Sequence, residues 1–373
     1  MRQPWKRSEH RPGRTRRGAT LVVAVMCLLL ITVVVAFAID IGYIVLVRTQ
    51  LQVAADSAAM AAAAADVHEP LDTVVDVARK YAGYHTAGAE KVDLLAADVE
   101  PGVWDFNART FARSSWNPNA VRVTTRRDRM AGGPLPLFFA RAMGVDRIAL
   151  KAEATAAYRD DFVGFRIPPG EETVSLLPFA LDVETWQSLQ AGMGPDVWTW
   201  DRESGQVLPG PDGIAELNLY PEGVDGDNSG NRGTVDIGNA DNSTADIVRQ
   251  ILEGPNSRDM AYHGGKLELS ENGKLYLTGD TGISAGLKDA VNSVRGQPRI
   301  VPLFSEVAKT GNNTLFTIVG FAGIRIVEVK MGGALQDKKI IIQPAKMIIE
   351  GGIPGPMPTQ SSHYIYSPVR LVR

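Results

Sequence analysis

Residues 18–65 read GATLVVAVMCLLLITVVVAFAIDIGYIVLVRTQLQVAADSAAMAAAAA, and this stretch decides the architecture. Residues 18–39 carry no charge. At the α-helical rise they extend ~33 Å, enough for one bilayer crossing. After Asp40 the apolar sequence resumes over 41–47 and then becomes alanine-rich, with no proline anywhere in the stretch. Alanine is the best helix former, so the sequence predicts one continuous helix over residues 19–65, ~70 Å long, half in lipid and half projecting outward. Leu51, Ala54, Ala55, Ala58, Ala59 and Ala62 recur at spacings of three and four. Such a flat stripe of small side chains permits close packing against another helix or a sheet.

Charge fixes the direction of the crossing. Residues 1–17 carry Arg2, Lys6, Arg7, Arg11, Arg14, Arg16 and Arg17 against Glu9 alone, a local balance of +6 in a chain whose net charge is −3, which leaves −9 for the remainder. Basic flanks stay cytoplasmic, so the leader is read as cytoplasmic and everything after the span as extracytoplasmic, anchored in inner-membrane lipid. With 39 Lys and Arg against 42 Asp and Glu, the 373-residue chain has no excess of positive charge for general nucleic-acid binding. Cys27 is the single cysteine and lies inside the apolar run, which rules out an intrachain disulfide and a zinc site built from several of its cysteines.

Two processing points are visible in this segment. Ala36-Phe37-Ala38 is a small-x-small triplet of the kind signal peptidase cuts, but the apolar sequence continues past it, and the mature chain is expected to keep its helix. A basic segment ending at Gly18, before Ala19 and an apolar helix, has the layout of a prepilin leader, with Val23 where such leaders are commonly followed by glutamate.

The run RRGATLVVAVMCLLLITVVVAFAIDIGYIVLVRTQLQVAADSAAMAAA resembles the N-terminal segment of the TadE/TadG-like proteins of the tight-adherence (Flp) pilus and type IV-like secretion apparatus. The matching elements are Arg16-Arg17-Gly18, the Ile39-Asp40-Ile41-Gly42 step, Gln50-Leu51-Gln52, and the run from Ala54 to Ala59. VRVTTRRD at 121–128 and PLFFARAMGVDRIALKAEATAAY at 136–158 are similar to the same family's membrane-proximal domain. The resemblance covers about the first 160 residues as a motif-level hypothesis and implies a pilin-like shape, with other pilus or secretion-apparatus proteins as partners. Some TadG-type proteins also carry a von Willebrand A domain, whose metal site needs Asp-x-Ser-x-Ser; this sequence has no such run.

Beyond Tyr158 the composition shifts, with Arg159-Asp160-Asp161 and the Pro168-Pro169-Gly170 turn at the boundary. Strand-like runs are read at 174–181, 197–200, 214–220, 266–269, 274–277, 300–304, 315–321, 324–329 and 339–342, with Asn272-Gly273 joining two of them as a hairpin. Helices are expected at 243–252, capped by Ser243 and ended by Gly254, and at 284–294, ended by Gly296. The fold class is therefore α+β: a single N-terminal transmembrane helix extending into a pilin-like long helix, a small α+β membrane-proximal domain, then a β-rich α+β domain with a mostly antiparallel sheet. In residue terms this gives a basic leader (1–17), a transmembrane segment (18–47), a pilin-like extracytoplasmic region (48–158), a β-rich domain (159–350) and an extended, proline-rich C-terminal tail (351–373).

Chemical groups are sparse in the second half. Asp280-Thr281-Gly282 is the tripeptide that carries the catalytic carboxylate of aspartic proteases, but that chemistry needs two carboxylates sharing a proton and the tripeptide occurs once. The preferred reading is a turn leading into the helix at 284, since the preceding Leu277-Thr278-Gly279 lacks the apolar strand end that buries such an aspartate. Asp225, Asp227 and Asp236 sit within DGDNSGNRGTVD at spacings that imitate a calcium loop, although such clusters are ordinarily solvated connections. No HExxH, P-loop or Gly-x-Ser-x-Gly element is present, and no catalytic residue, cofactor or metal is assigned. Asp40 and Gly42 are read as marking the membrane exit, with pairing of Asp40 to a partner subunit's arginine as the sharper alternative. Ala55 and Ala59 are read as an assembly surface for homo- or hetero-oligomers.

The reading is thus a membrane-anchored, non-enzymatic pilin-like component, set against an anchored hydrolase using Asp280 and a calcium-dependent binding module. Its topology is open to direct test. A reporter active only outside the cytoplasm is expected to work when fused after Tyr158 and to fail when fused before Gly18; the reverse pattern overturns the orientation.

Overall fold

The computed structural model describes residues 17–65, 70–220, 232–238, 243–280, 283–308, 314–333, 337–355 and 362–372. Residues 18–65 form the element that the sequence requires: α1, Arg17–Ala64, is one unbroken helix of 48 residues. Its lower part buries nothing against the protein, and Leu21, Val25, Leu28, Leu29 and Val35 are all exposed. From Val47 upward the pattern inverts, and Leu51, Ala54, Ala55, Ala58, Ala59 and Ala62 are fully buried. The change marks where exposed apolar helix gives way to helix covered by the protein.

Two compact units divide the chain, Met1–Ala157 with Arg370–Arg373, and Tyr158–Val369. In the first unit α1 packs on α2 (Leu71–Ala82) and on a five-stranded antiparallel sheet. The sheet runs in the order Arg370–Leu371, Leu150–Ala157, Ala120–Arg127, Val99–Asp105, Thr110–Arg113. α2 turns Val74, Val75, Ala78 and Ala82 inward, the three-and-four spacing of one helix face. On the sheet, Val121 is paired with Ala156, Val123 with Ala154 and Thr125 with Ala152, all buried. The period-two alternation puts these residues on one face, where Thr125 Oγ1 donates to the Leu51 carbonyl at 2.8 Å. Small side chains on both surfaces let helix and sheet backbones approach closely. Trp104, Ala120, Ala157 and Val372 form a separate cluster, with the Arg122 guanidinium 4.1 Å from the Phe111 ring centre.

Ala55 and Ala59, the residues expected to form an assembly surface, lie within this packing. Both are fully covered by their own chain, so the stripe is core rather than a free surface.

The second unit is built on an eight-stranded mixed sheet whose main path runs Leu181–Asp182, Pro298–Ala308, Thr314–Lys330, Leu275–Asp280, Thr234–Val235. Lys339–Pro344 and Ser362–His363 also pair with the central strand, and Leu217–Tyr220 pairs with Lys339–Pro344. Most pairs are antiparallel; those of Leu181–Asp182 and Ser362–His363 are parallel. The runs expected at 315–321 and 324–329 are one 17-residue strand, Thr314–Lys330. Gly323 does not break it. A side chain there would meet the Tyr364 carbonyl at 2.7 Å and the Ala345 carbonyl at 2.5 Å, so glycine is needed where neighbouring backbones press in. Both faces of this strand are covered: Phe316, Ile318 and Phe321 join one apolar cluster, and Ala322, Ile324 and Ile326 join the other with Trp186 and Ile251. A strand buried on both faces reads as a continuous apolar run, without alternation.

Three further sequence expectations change. Asn272-Gly273 forms a turn, with Gly273 N–H donating to the Ser270 carbonyl at 2.8 Å. Its flanking strands do not form a hairpin, since Leu267–Glu268 pairs with Phe162–Phe165 and Leu275–Asp280 with the central strand. The strand expected over 174–181 is largely irregular, held by isolated bridges such as Leu176 to Ile300, and only Leu181–Asp182 enters the sheet. The C-terminal segment is extended but woven in. Gly352–Pro354, Ser362–His363, Ile365–Tyr366 and Arg370–Leu371 each pair with a strand, and Ile365 is fully buried. The helix at 244 matches its capping signals: Thr244–Glu253 opens with Ser243 accepting from Asp246 N–H and closes at Gly254 with φ 89°.

Leucine at Ala55 or Ala59 adds three carbons to a filled contact, which costs about 1–3 kcal/mol. Chemical denaturation of the Ala59→Leu chain in detergent is expected to shift to lower denaturant by that amount. Met60→Leu, at a position 40% exposed, should stay within about 0.5 kcal/mol of the parent.

Candidate functional site

The most constrained polar group near the apolar span is Asp40. Only 3% of its surface is exposed, and its carboxylate accepts three backbone hydrogen bonds. Oδ1 accepts from Phe138 N–H at 2.9 Å, and Oδ2 from Phe139 N–H at 2.9 Å and Ala140 N–H at 2.7 Å. These donors open a short 3₁₀ turn, Ala140–Met143, which closes at Gly144 with φ 86°. The first N–H groups of a helical turn have no partner within it and gather partial positive charge, so a carboxylate satisfies them in number and in sign. The Arg141 charge acts on the same carboxylate. Asp40, expected at the membrane exit, clamps a loop 98 to 100 residues further along the chain. Gly42, expected beside it, is exposed with open space around its Cα.

Around the clamp lies a small hairpin. Leu135–Pro136 pairs with Arg147–Ile148, and Leu137 N–H donates to the Asp146 carbonyl at 3.0 Å. The Phe138 ring lies 5.2 Å from that of Tyr43 on α1. Higher up, Leu135 and Val47 both crowd Gly88, whose φ of 62° suits glycine. A methyl group on its Cα would come within 3.0 Å of Tyr43 Oη, 3.1 Å of Leu135 and 3.2 Å of Val47.

The VRVTTRRD segment fixes the rest of this unit, each residue through a different partner. Thr125 holds α1, as described above. Arg126 forms a two-pronged, largely buried ion pair with Asp98, its Nε 2.7 Å from Oδ2, and reaches Asp128 at 3.3 Å. Hydrogen bonding to Asp98 raises the Arg126 guanidinium above its ordinary value, against the opposing effect of burial. Arg127 donates to the Gly133 carbonyl at 3.0 Å and to the Ala87 carbonyl. Asp128 accepts from Met130 and Ala131 N–H at 2.8 and 3.3 Å, tying down the turn that leads into the hairpin. Sequence reading singled out this segment by resemblance, but no local signal in it names Asp98, Ala87 or Leu51 as partners.

The other sequence candidates are not brought together. Gly18 and Ala19 lie in the first turn of α1. The leader through residue 16, together with Asp225 and Asp227, lies outside the described residues. Asp236 is buried, and its N–H donates to the Thr278 carbonyl at 2.8 Å. Asp280 ends its strand opposite Thr234, with Thr281 and Gly282 outside the described residues. Among the described residues no group of three or more His, Cys, Asp and Glu side chains is placed to hold a metal ion. The buried carboxylate of Glu216 serves structure, accepting from Val197 and Trp198 N–H at 3.1 and 2.5 Å, and burial pushes its pKa up with Asp196 and Asp212 adding to the effect.

Removing the Asp40 acceptors should open the hairpin without unfolding the unit. Limited trypsin digestion of the Asp40→Ala chain is expected to show faster cleavage after Arg141 and Arg147 than in the parent, with Asp40→Asn between them because it keeps one acceptor oxygen. Equal cleavage rates would show that the clamp does not hold the hairpin.

Comparison with known proteins places this region. The family described as "Putative Flp pilus-assembly TadE/G-like" matches residues 18–65, and the one described as "Putative Tad-like Flp pilus-assembly" matches residues 48–156. No curated protein and no solved structure matches the chain. Together the two matches cover α1, α2, the four strands of the five-stranded sheet that precede residue 158 and the clamped hairpin, so that by its N-terminal region the chain is similar to the TadE/TadG-like Flp pilus-assembly proteins.

Proposed function

We propose that the chain is a single-pass, non-enzymatic, pilin-like structural component of a tight-adherence pilus or related secretion apparatus. Its N-terminus is cytoplasmic, and the chain from residue 48 onward lies outside the inner membrane. The observation that carries this reading is the division of α1 into an apolar stretch, residues 20–39, in which no residue is buried, and an upper half that is the core of a family-matched unit. A helix apolar on every side is stable only in lipid or in a protein interior, and among the described residues no interior covers it. The basic leader supports the orientation by the positive-inside bias. The continuous run of α1 through Ala38 supports a mature chain that keeps its helix, with Gly18 and Ala19 as the point for prepilin-type processing. The upper half of α1 is occupied by its own unit, so oligomers would form through other surfaces.

Full-length chain extracted from its native membranes is expected to co-purify with other tight-adherence apparatus proteins, and Asp280→Asn should leave that association intact. Isolation without any such protein would refute the structural role. Peptidase activity that disappears in a folded Asp280→Asn chain would replace it with the hydrolase.

A further inference from the structure

The clamped hairpin exposes apolar side chains where the described surface around it offers nothing to cover them. Phe138 is 56% exposed, Phe139 47%, Met143 68% and Val145 48%. Single exposed apolar residues need no explanation, but four within eight residues of one tip form a patch. Its position along α1 is fixed by contacts at two levels. Leu135, at the base, shares the Gly88 contact with Val47, whereas residues 138–140 are bound to Asp40. Seven residues of helix separate those levels, a descent of ~10 Å toward the apolar end of α1. Asp40 in turn lies ~30 Å along the helix from Thr20, the thickness of one hydrocarbon core. The tip is therefore held at the outer edge of the bilayer that α1 would span.

The same level of α1 carries exposed Ile41, Val45 and Leu46. Arg141 and Arg147 are exposed beside the hairpin's apolar side chains, with Asp146 between them in the sequence. Aromatic and apolar side chains beside arginines are the pattern of elements that lie in the membrane interface.

We infer that the 135–148 hairpin is a second membrane-contacting element, an interfacial wedge that seats Phe138, Phe139, Met143 and Val145 in the outer-leaflet lipid, at a depth set by the Asp40 clamp. The partner is phospholipid of the bilayer that α1 crosses, and the inference rests on the spanning role assigned to α1. A wedge beside the helix would resist tilting and rotation of the anchor, fixing how the first unit is presented at the membrane surface.

Spin labels read this directly in full-length chain reconstituted into phosphatidylethanolamine–phosphatidylglycerol vesicles. The native Cys27, exposed on the lower half of α1, reports the span. Met143→Cys and Val145→Cys, each with Cys27→Ser, report the wedge, and Trp116→Cys in the same background, at a position 86% exposed, reports water. Labels at 143 and 145 are expected to collide more with oxygen than with a water-soluble nickel chelate, as at Cys27 and opposite to 116. Adding Asp40→Ala should move the label at 143 toward the behaviour of 116. Nickel-accessible labels at 143 and 145, with Cys27 immersed, overturn the wedge while leaving the span intact. A nickel-accessible Cys27 overturns the span itself. Labels shielded from both reagents show a protein contact on the tip and also refute the lipid assignment, and an unchanged label 143 in the Asp40→Ala chain refutes the clamp as its depth gauge.

Discussion

The first unit depends on how closely α1 can lie against its sheet. Ala54, Ala55, Ala58 and Ala59 are buried on a helix that packs on α2 and on a sheet surface where Ala152, Ala154 and Ala156 alternate with larger outward residues. Neither surface has the bulk to fill a wide gap, so the core closes only when the backbones come near. That constraint explains why the contact is supplemented by backbone-directed polar bonds. Thr125 reaches the Leu51 carbonyl, and Gln52 reaches the Glu153 carbonyl at 3.0 Å. Such bonds require short separations and fix the rotation and height of the helix, which apolar contact alone leaves free.

Height matters because α1 changes character along its length. A helix that is core above Val47 and exposed and apolar below Asp40 has a boundary between the two at a defined level. The carboxylate at that boundary is not left to water. It takes up the N–H groups of a turn contributed by the opposite end of the unit, so that the polar group least compatible with lipid becomes a structural joint. The cost of an unpaired buried charge makes such a joint stringent, since the turn and the carboxylate each remove the other's unsatisfied groups.

The second unit uses a different logic. Its sheet is covered on both faces, with Trp186, Leu189, Ile251 and Val291 on one side and Phe165, Phe304, Phe316 and Phe321 on the other. Its polar groups are spent on architecture. Arg232 joins Asp182, the Asn218 carbonyl and Thr185, while Arg249 joins Asp246 and Asp259. Arg325 stacks on Trp200 at 4.2 Å, its guanidinium drawn down by burial to about 10. Ionisable groups held this way stabilise a scaffold, which accords with a structural part.

What the sequence by itself determined is whatever depends on local pattern. The charge-free run, the alanine run and the absence of proline specify α1 almost to the residue, because helix propensity, apolar length and charge asymmetry are properties of contiguous residues. Ser243 and Gly254 mark their helix for the same reason. What only the tertiary structure decided is which partner each surface meets. The spacing of Ala55 and Ala59 foretold close packing, but a stripe looks identical in sequence whether another subunit or its own sheet covers it. Asp40 could be recognised as an acid at a membrane boundary, yet its partners lie about a hundred residues away and are backbone N–H groups, which leave no mark in side-chain sequence. Gly323 could be read as a break, and only the converging backbones of Ala345 and Tyr364 show that it keeps the central strand continuous. Long-range contact is set by the closure of the whole chain, and no window of neighbouring residues contains it.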